Sequence, residues 1–375
     1  MLLRSIAILL LLTPFGTCLA DNWPTWQHDN RRTGASAEQL PVEKLALRWT
    51  WQSATPPQTA WAGPAKWDAY TFNRNLPSMR NYDPVFHVVA AQGRVWFGSS
   101  ADDTLYCLDA ADGKPAWTFT ADGPIRLAPT WSDGRVYFGS DDGYARCVSS
   151  DDGSLVWKFT PADTEQLLLN NGRFIPFQPC RTGVTVDDGT AWFACAMLPW
   201  EDAWLCAVDA ASGLADGEPH SVKSLPGRTM DGAPALSSKF LVLPQGRVAP
   251  RVFDRSTGKD LGEMVKSGGG SVVVVSLDDN VLHGPATDSR EGGFRESSST
   301  NREVVAGLGT GNALVVGGAT SWMLTDSEII ASSLTERKVL WKAACDCPLT
   351  MIKAGDTLFV GGDHKVAAHS AIDGS

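Results

Sequence analysis

Two cysteines one residue apart, Cys345 and Cys347, are the closest this chain comes to a metal or redox pair. Zinc would need a second such pair, or two nearby histidines, and neither follows. A strained dithiol is a second reading if the chain is exported. The plainer reading, which we prefer, is two strand residues facing opposite ways, because side chains alternate along a strand. A larger group of polar side chains sits in three long stretches, residues 61–85, 161–181 and 196–204. They hold Arg80, Asn81, Asp83, Arg173, Arg181, Trp200 and Glu201, and Arg126 of GPIRLAPT joins them. Guanidinium groups converging on one mouth would suit an anionic ligand or an acidic peptide. The plainer alternative pairs them with Asp83, Glu165 and Glu201, which would only tie the loops down. The acidic pairs in SADDT and SDDGY read as solvated turns. The six histidines are scattered, and GxSxG, P-loop, CxxCH and dinucleotide fingerprints are all missing from the sequence.

What would position these residues is a repeat. CLDAADGKPAW at 107–117 is echoed by CVSSDDGSLVW at 147–157. The template is a small residue, Asp two later, Gly six later and Trp ten later. Cys107, Asp109, Gly113 and Trp117 define it; Cys147, Ser149, Gly153 and Trp157 repeat it. Further copies start at Ala207, Val252, Ala331 and Ala368, each preceded by a short β-rich run such as RVWFGSS or TLFVGGD. SVVVVSLDDNVLHGP starts a degenerate repeat between the fourth and fifth clear copies, and 290–303 reads as a polar loop. A spacing of roughly 40 residues with about four strands predicts an all-β propeller of four-stranded blades. Asp-Gly supplies the positive φ of a tight hairpin. Trp117, Trp157 and Trp341 are expected to leave their strands and dock on a neighbouring blade, with the small residue ten earlier shaping the receiving pocket. Burying an indole contributes about 25 cal/mol per Å².

Seven blades are represented. The orphan run LALRWTW, residues 45–51, is expected to supply the outer strand of the last blade and close the ring, with Trp49 in the tryptophan position. The alternative is truncation at Ser375 from an eight-bladed parent.

The remaining bounds come from composition and the N-terminus. The chain has 375 residues, 43% hydrophobic and 20% charged, a globular composition. Residues 1–20, MLLRSIAILLLLTPFGTCLA, have the basic start, apolar run and small-residue end of a secretory signal, cleaved after Ala20. Lipidation at Cys18 is disfavoured by the residues before it. A lead-in segment, 21–44, then precedes the propeller at 45–375. Losing the signal takes away Arg4, its one charged residue, and moves the formal net charge from −10 to −11. That balance argues against nucleic acid or an anionic membrane as partner. Seven cysteines remain, an odd number, most read as small buried apolar residues.

The repeats resemble the pyrroloquinoline-quinone-type propeller repeat, and DNWPTWQHDNRRTGAS resembles the lead-in of such proteins. KWDAY, MRNYDPVFHVV, GPIRLAPTW, YFGSDDGYARC and CDCPLTMIKAGDTLF are more similar to exported propellers of planctomycete-type bacteria. The wider family includes quinoprotein alcohol dehydrogenases and the outer-membrane-barrel assembly lipoprotein. For the enzymes the resemblance implies a quinone over calcium in the central funnel and a disulfide ring from adjacent cysteines. This sequence has no Cys-Cys pair and no compact calcium set. It therefore favours a non-catalytic, periplasmic or secreted platform for a protein or a small anionic ligand over an enzyme, with no cofactor. The alternatives are a quinone-dependent alcohol- or sugar-oxidising domain, with quinone and calcium bound, and a docking module of a longer enzyme.

Overall fold

The computed structural model describes residues 21–57, 65–68, 73–76, 86–170, 172–198, 200–217, 219–230, 232–246, 248–264, 272–284 and 293–375. Residues 1–20, read above as a signal segment and containing Cys18, and Arg80, Asn81 and Asp83, lie outside the described residues.

Among the described residues the chain is all-β, built mainly of seven four-stranded sheets, six of them antiparallel throughout and the last with one parallel strand. These are the blades: 89–120, 130–159, 185–224, 235–263, 272–309, 313–344 and 350–370. The first strands are the inner ones. Val89–Ala91 contacts Thr130–Ser132, which contacts Thr185–Asp187; Ala235–Leu236 contacts Val272–Val275, and Ala313–Gly317 contacts Thr350–Ala354. Separate apolar clusters fill the spaces between successive blades, for example Cys147, Trp157, Phe193 and Cys206 between the second and third. A propeller accounts for this arrangement.

The template residues have distinct jobs. The small residue and the tryptophan are cross-strand partners in one blade: Cys107 with Trp117, Cys147 with Trp157, Ala331 with Trp341. The pairing slips by one at that point in five blades, a bulge that strengthens twist and tips the tryptophan out of its sheet. The indole then lands on the turn glycine of the next blade, so that glycine and not the small residue is the receiving surface. Trp49 Nε1 donates to Ala110 O, Trp117 to Ser150 O and Trp157 to Ala210 O, each at 3.0 Å. A Cβ on Gly153 would stand 2.5 Å from Trp117, and φ there is +73°, so two constraints ask for glycine at once. Trp341 packs on Gly374 in the same way. The template aspartate caps the turn, as when Asp209 Oδ1 accepts Ser212 N–H at 2.7 Å.

Blade five carries the degenerate copy. Glu296, Ser298, Arg302 and Ala306 stand at the four template positions, in the same register and with the same bulge. The stretch 290–303 is thus not simply a loop: Phe294–Ser297 is the third strand of that blade.

The ring closure differs from expectation. An N-terminal strand does join the last sheet, but it is Ala35–Ser36, parallel, on the inner edge beside Lys353 and Ala354. Residues 45–51 form no strand, and Leu47 is 86% exposed. Among the described residues nothing pairs with the outer edge of Lys365–Ser370. The reason lies in the segment just before it. Residues 23–36 run round the inside of the ring and bond to every inner strand in turn. Trp23 exchanges backbone bonds with Ala90, and Pro24 O accepts from Trp131 N–H. Asn30 Nδ2 donates to Val186 O at 2.8 Å, and Asn30 O accepts from Leu236 N–H. Arg31 O, Thr33 O and Gly34 O take the N–H groups of Val275, Val316 and Lys353. These contacts lie next to the turns between first and second strands. The segment is a plug at one end of the central channel.

Arg32 fixes the plug. Its side chain is fully buried and donates to Pro234 O at 2.8 Å, Thr25 Oγ1 at 2.7 Å, Trp26 O at 2.9 Å and Thr185 Oγ1 at 2.6 Å. All are neutral acceptors, and burial lowers its pKa to about 10.

Candidate functional site

Antiparallel strands put alternate turns on opposite faces. The turns beside the plug form one face. The links between blades, and the turns between second and third strands, form the other, here called the loop face. Arg126 is on the link from blade one to blade two. Asp141 and Asp142 are on the second-to-third strand turn of blade two, and Asp103 on that of blade one. Arg173, Arg181 and Asn170 belong to the long insertion between blades two and three. That insertion folds into a ribbon, Leu167–Asn170 with Arg173–Pro176, closed by a two-residue turn in which Gly172 takes φ +76°.

The structure brings three of the candidate arginines together around carboxylates. Asp141 is fully buried. It accepts Arg126 Nε at 2.7 Å and Arg181 Nε and Nη2 at 2.8 Å each. Burial by itself would raise this carboxyl, but the Arg181 and Arg126 guanidiniums hold it below the usual carboxylate range. Asn170 Oδ1 lies 3.4 Å from Arg181 Nη2. Beside them Arg146 grips Asp142 with two bonds, at 2.8 and 2.6 Å. Arg173 pairs with Asp103 and donates to Ala101 O at 2.8 Å. Trp200 and Glu201 stand on the second-to-third strand link of blade three, and Trp200 is 68% exposed. No contact joins either to the arginines among the described residues. Trp49, Trp117, Trp157 and Trp341 are at blade-to-blade docks, away from this network.

Asp103 was not singled out by sequence, where SADDT reads as a solvated turn. Its backbone is left-handed, φ +61°, which a non-glycine residue rarely adopts. One carboxylate oxygen, Oδ2, takes Arg173, while Oδ1 is buried with no hydrogen-bond partner. Burial pushes its pKa up in spite of Arg173, and the like charges of Asp102 and Asp141 push the same way. A carboxylate with an unbonded oxygen and a raised pKa is a proton acceptor in chemical terms. Only its turn position was legible; the partner, Arg173, is 70 residues away in sequence.

Cys345 and Cys347 do not face opposite ways. Both lie just after the strand Lys338–Ala344 and turn into one apolar cluster with Met351 and Val360. Among the described residues no three His, Cys, Asp or Glu converge as a metal would require. Asp141 and Asp142 are each already held by arginine. Among the described residues, then, no ready-made calcium set is formed, and no step is derived through a calcium–quinone pair. Among the described residues no helix is long and apolar enough to cross a membrane.

With this geometry in view, comparison with known proteins is informative. The family model described as outer membrane protein assembly factor BamB matches residues 50–213. A propeller domain of that kind is present. Among solved structures, BamB from Moraxella catarrhalis aligns with a TM-score of 0.54 at 13% identity, covering 90% of this chain and 96% of that one. A quinohemoprotein alcohol dehydrogenase from Pseudomonas putida HK5 aligns at 0.63 and 11% identity, covering 95% and 71%. Another from Comamonas testosteroni aligns at 0.62 and 12%, covering 95% and 72%. No curated protein matches. The expectation of a non-enzyme is overturned by these likenesses. The fold covers nearly the whole chain in proteins that are alcohol dehydrogenases, so a lack of short catalytic motifs is no argument against catalysis.

Proposed function

We propose that this chain is a dehydrogenase-type propeller domain that takes a small alcohol or sugar on its loop face, alone or within a longer enzyme. Asp103 accepts the proton of the substrate hydroxyl, and the hydride from the same carbon leaves to an added quinone or dye acceptor, which the chain itself does not supply. The observation that carries this reading is the Asp103 carboxylate on a loop-face turn, raised in pKa and with a buried Oδ1 that has no hydrogen-bond partner, so a substrate hydroxyl reaches it when that turn opens. Removing a hydroxyl proton is what alcohol oxidation asks of a protein base. The arginine network around Asp141 holds the neighbouring loops in one geometry, and the plug closes the far end of the channel, so a ligand would have one way in. The quinohemoprotein likenesses support the same reading. The signal pattern of residues 1–20 adds export to it.

The test is reconstitution with pyrroloquinoline quinone and calcium, following quinone absorbance, thermal midpoint and dye-linked alcohol oxidation. Saturable binding with a raised midpoint is expected. Asp103→Asn is expected to keep binding and lose about a hundredfold or more in turnover. A folded protein that binds nothing, or an Asp103→Asn variant with full activity, contradicts the reading. A second reading, a protein-binding platform, is favoured by the assembly-factor family match over blades one to three.

A further inference from the structure

The ribbon that carries Arg173 has an outward face that the network does not use. Leu167, Leu169 and Phe174 point away from the protein; Leu169 is 66% and Phe174 71% exposed. Leu169 and Phe174 are directly opposed across the two strands. The inward side chains Asn170 and Ile175 are buried, so the ribbon carries apolar residues on its outward face where a solvent-facing hairpin would carry polar ones. The ribbon is not a loose flap. Arg173 ties it to Asp103 and Ala101, and Asn170 ties it to Arg181. Among the described residues both of its long edges are open, each strand being bonded only to the other. Exposed apolar side chains on a rigid, two-edged ribbon make an interaction surface.

Charge says what kind of partner fits. The stretch 160–181 contains two cations, Arg173 and Arg181, and both are engaged with carboxylates inside the network. The charges it leaves at the surface are Asp163 and Glu165, just before Leu167. Two more carboxylates, Glu201 and Asp202, follow Trp200 on the adjoining link. The whole chain is acidic as well.

We propose that the outward face of the 167–176 ribbon docks an extended segment of a partner protein that combines apolar anchors with lysine or arginine. The segment adds along an open edge, seats its apolar residues on Leu169 and Phe174, and meets Asp163 and Glu165 with its cations. This proposal does not depend on the oxidation reading, since none of these side chains belongs to the Asp103 site.

The experiment uses the full mature chain and a labelled synthetic peptide of alternating leucine and lysine, with leucine–glutamate and serine–lysine peptides as controls. Binding is read by fluorescence anisotropy. The leucine–lysine peptide is expected to bind, and both controls to bind at least about tenfold more weakly. The double variant Leu169→Ser with Phe174→Ser, and separately Asp163→Lys with Glu165→Lys, are each expected to weaken binding by about tenfold or more at an unchanged thermal midpoint. Failure of the wild type to bind overturns the proposal, and so does equal binding by either variant or either control. Sedimentation and vesicle flotation separate the other occupants. A dimer that the serine variant converts to monomer means a second copy covers the face. Flotation with phosphatidylcholine–phosphatidylglycerol vesicles, lost in the same variant, means a membrane does. Either result contradicts a basic peptide as occupant.

Discussion

The two faces of this propeller hold their most deeply buried arginines in opposite ways, while the half-buried Arg31 of the plug pairs with Asp279 at 3.1 Å. At the plug, Arg32 is buried among carbonyls and hydroxyls and touches no carboxylate. On the loop face, Arg126, Arg146, Arg173 and Arg181 all meet carboxylates. Neutral acceptors fix a charge in place without creating a charge of opposite sign, which suits a seal. Carboxylates set up a network whose members influence one another: burial raises the Asp103 pKa first, and the charges of Asp102 and Asp141 add to it. The contrast separates a face built to hold the ring from a face able to do proton chemistry.

The comparison can be broken most forcefully at Asp141. Asp141→Asn leaves two buried guanidiniums short of their counter-charge, and we expect about 3–5 kcal/mol of lost stability by urea unfolding. A loss under about 1 kcal/mol would mean that the loop-face network is not the unit described here. Arg32→Met strands four buried acceptors, and we expect about 2–4 kcal/mol, with increased hydrogen exchange along residues 23–36. Unchanged exchange there would remove the plug from the account. Trp117→Ala opens one blade-to-blade dock. The indole is only partly buried, so about 2 kcal/mol is expected, readable as a lower denaturation midpoint.

The smallest effects are in pH, where the faces should respond with opposite signs. The folded-state pKa of Asp141 is depressed, so its contribution is fully present above the unfolded value near 4 and fades as pH falls through the folded value. His28, in the plug, is the reverse. Burial would lower its pKa, but Asp29 and Asp21 raise it. Its contribution is present below the unfolded value near 6.5 and fades as pH rises through the folded one. Protection factors at residues 23–36, corrected for the intrinsic pH dependence of exchange, are expected to fall between about pH 6 and 8 while those at residues 140–182 stay constant, and His28→Gln should abolish the difference.

Much of this was legible in the sequence, and the limits are instructive. The repeat located six blades because Asp-Gly turns and tryptophans recur at fixed spacing. Blade five was placed only as a degenerate repeat from its first strands, because all four template residues are replaced. Its turn keeps the left-handed backbone with Arg302, φ +66°, in place of glycine. Glycine is needed there only when an indole arrives from the preceding blade, and at that point blade four has Gly262, not tryptophan. Blade six shows the same logic, with Arg337 at φ +53° after Ala306. Of the candidate site, the loop arginines were found by type and position. Their pairing with Asp141, and the part played by Asp103, depend on contacts across 15 to 70 residues that no local pattern encodes. The plug was hidden because residues 23–36 have no periodicity of their own; they take their shape from seven different strands.

The most direct test of the two-face account is hydrogen exchange on the full mature chain, with and without pyrroloquinoline quinone, calcium and an alcohol. The account predicts new protection at residues 99–103, 140–144 and 172–182, and none at 23–36. Protection centred on the plug, or a bound ligand that protects neither region, would contradict it.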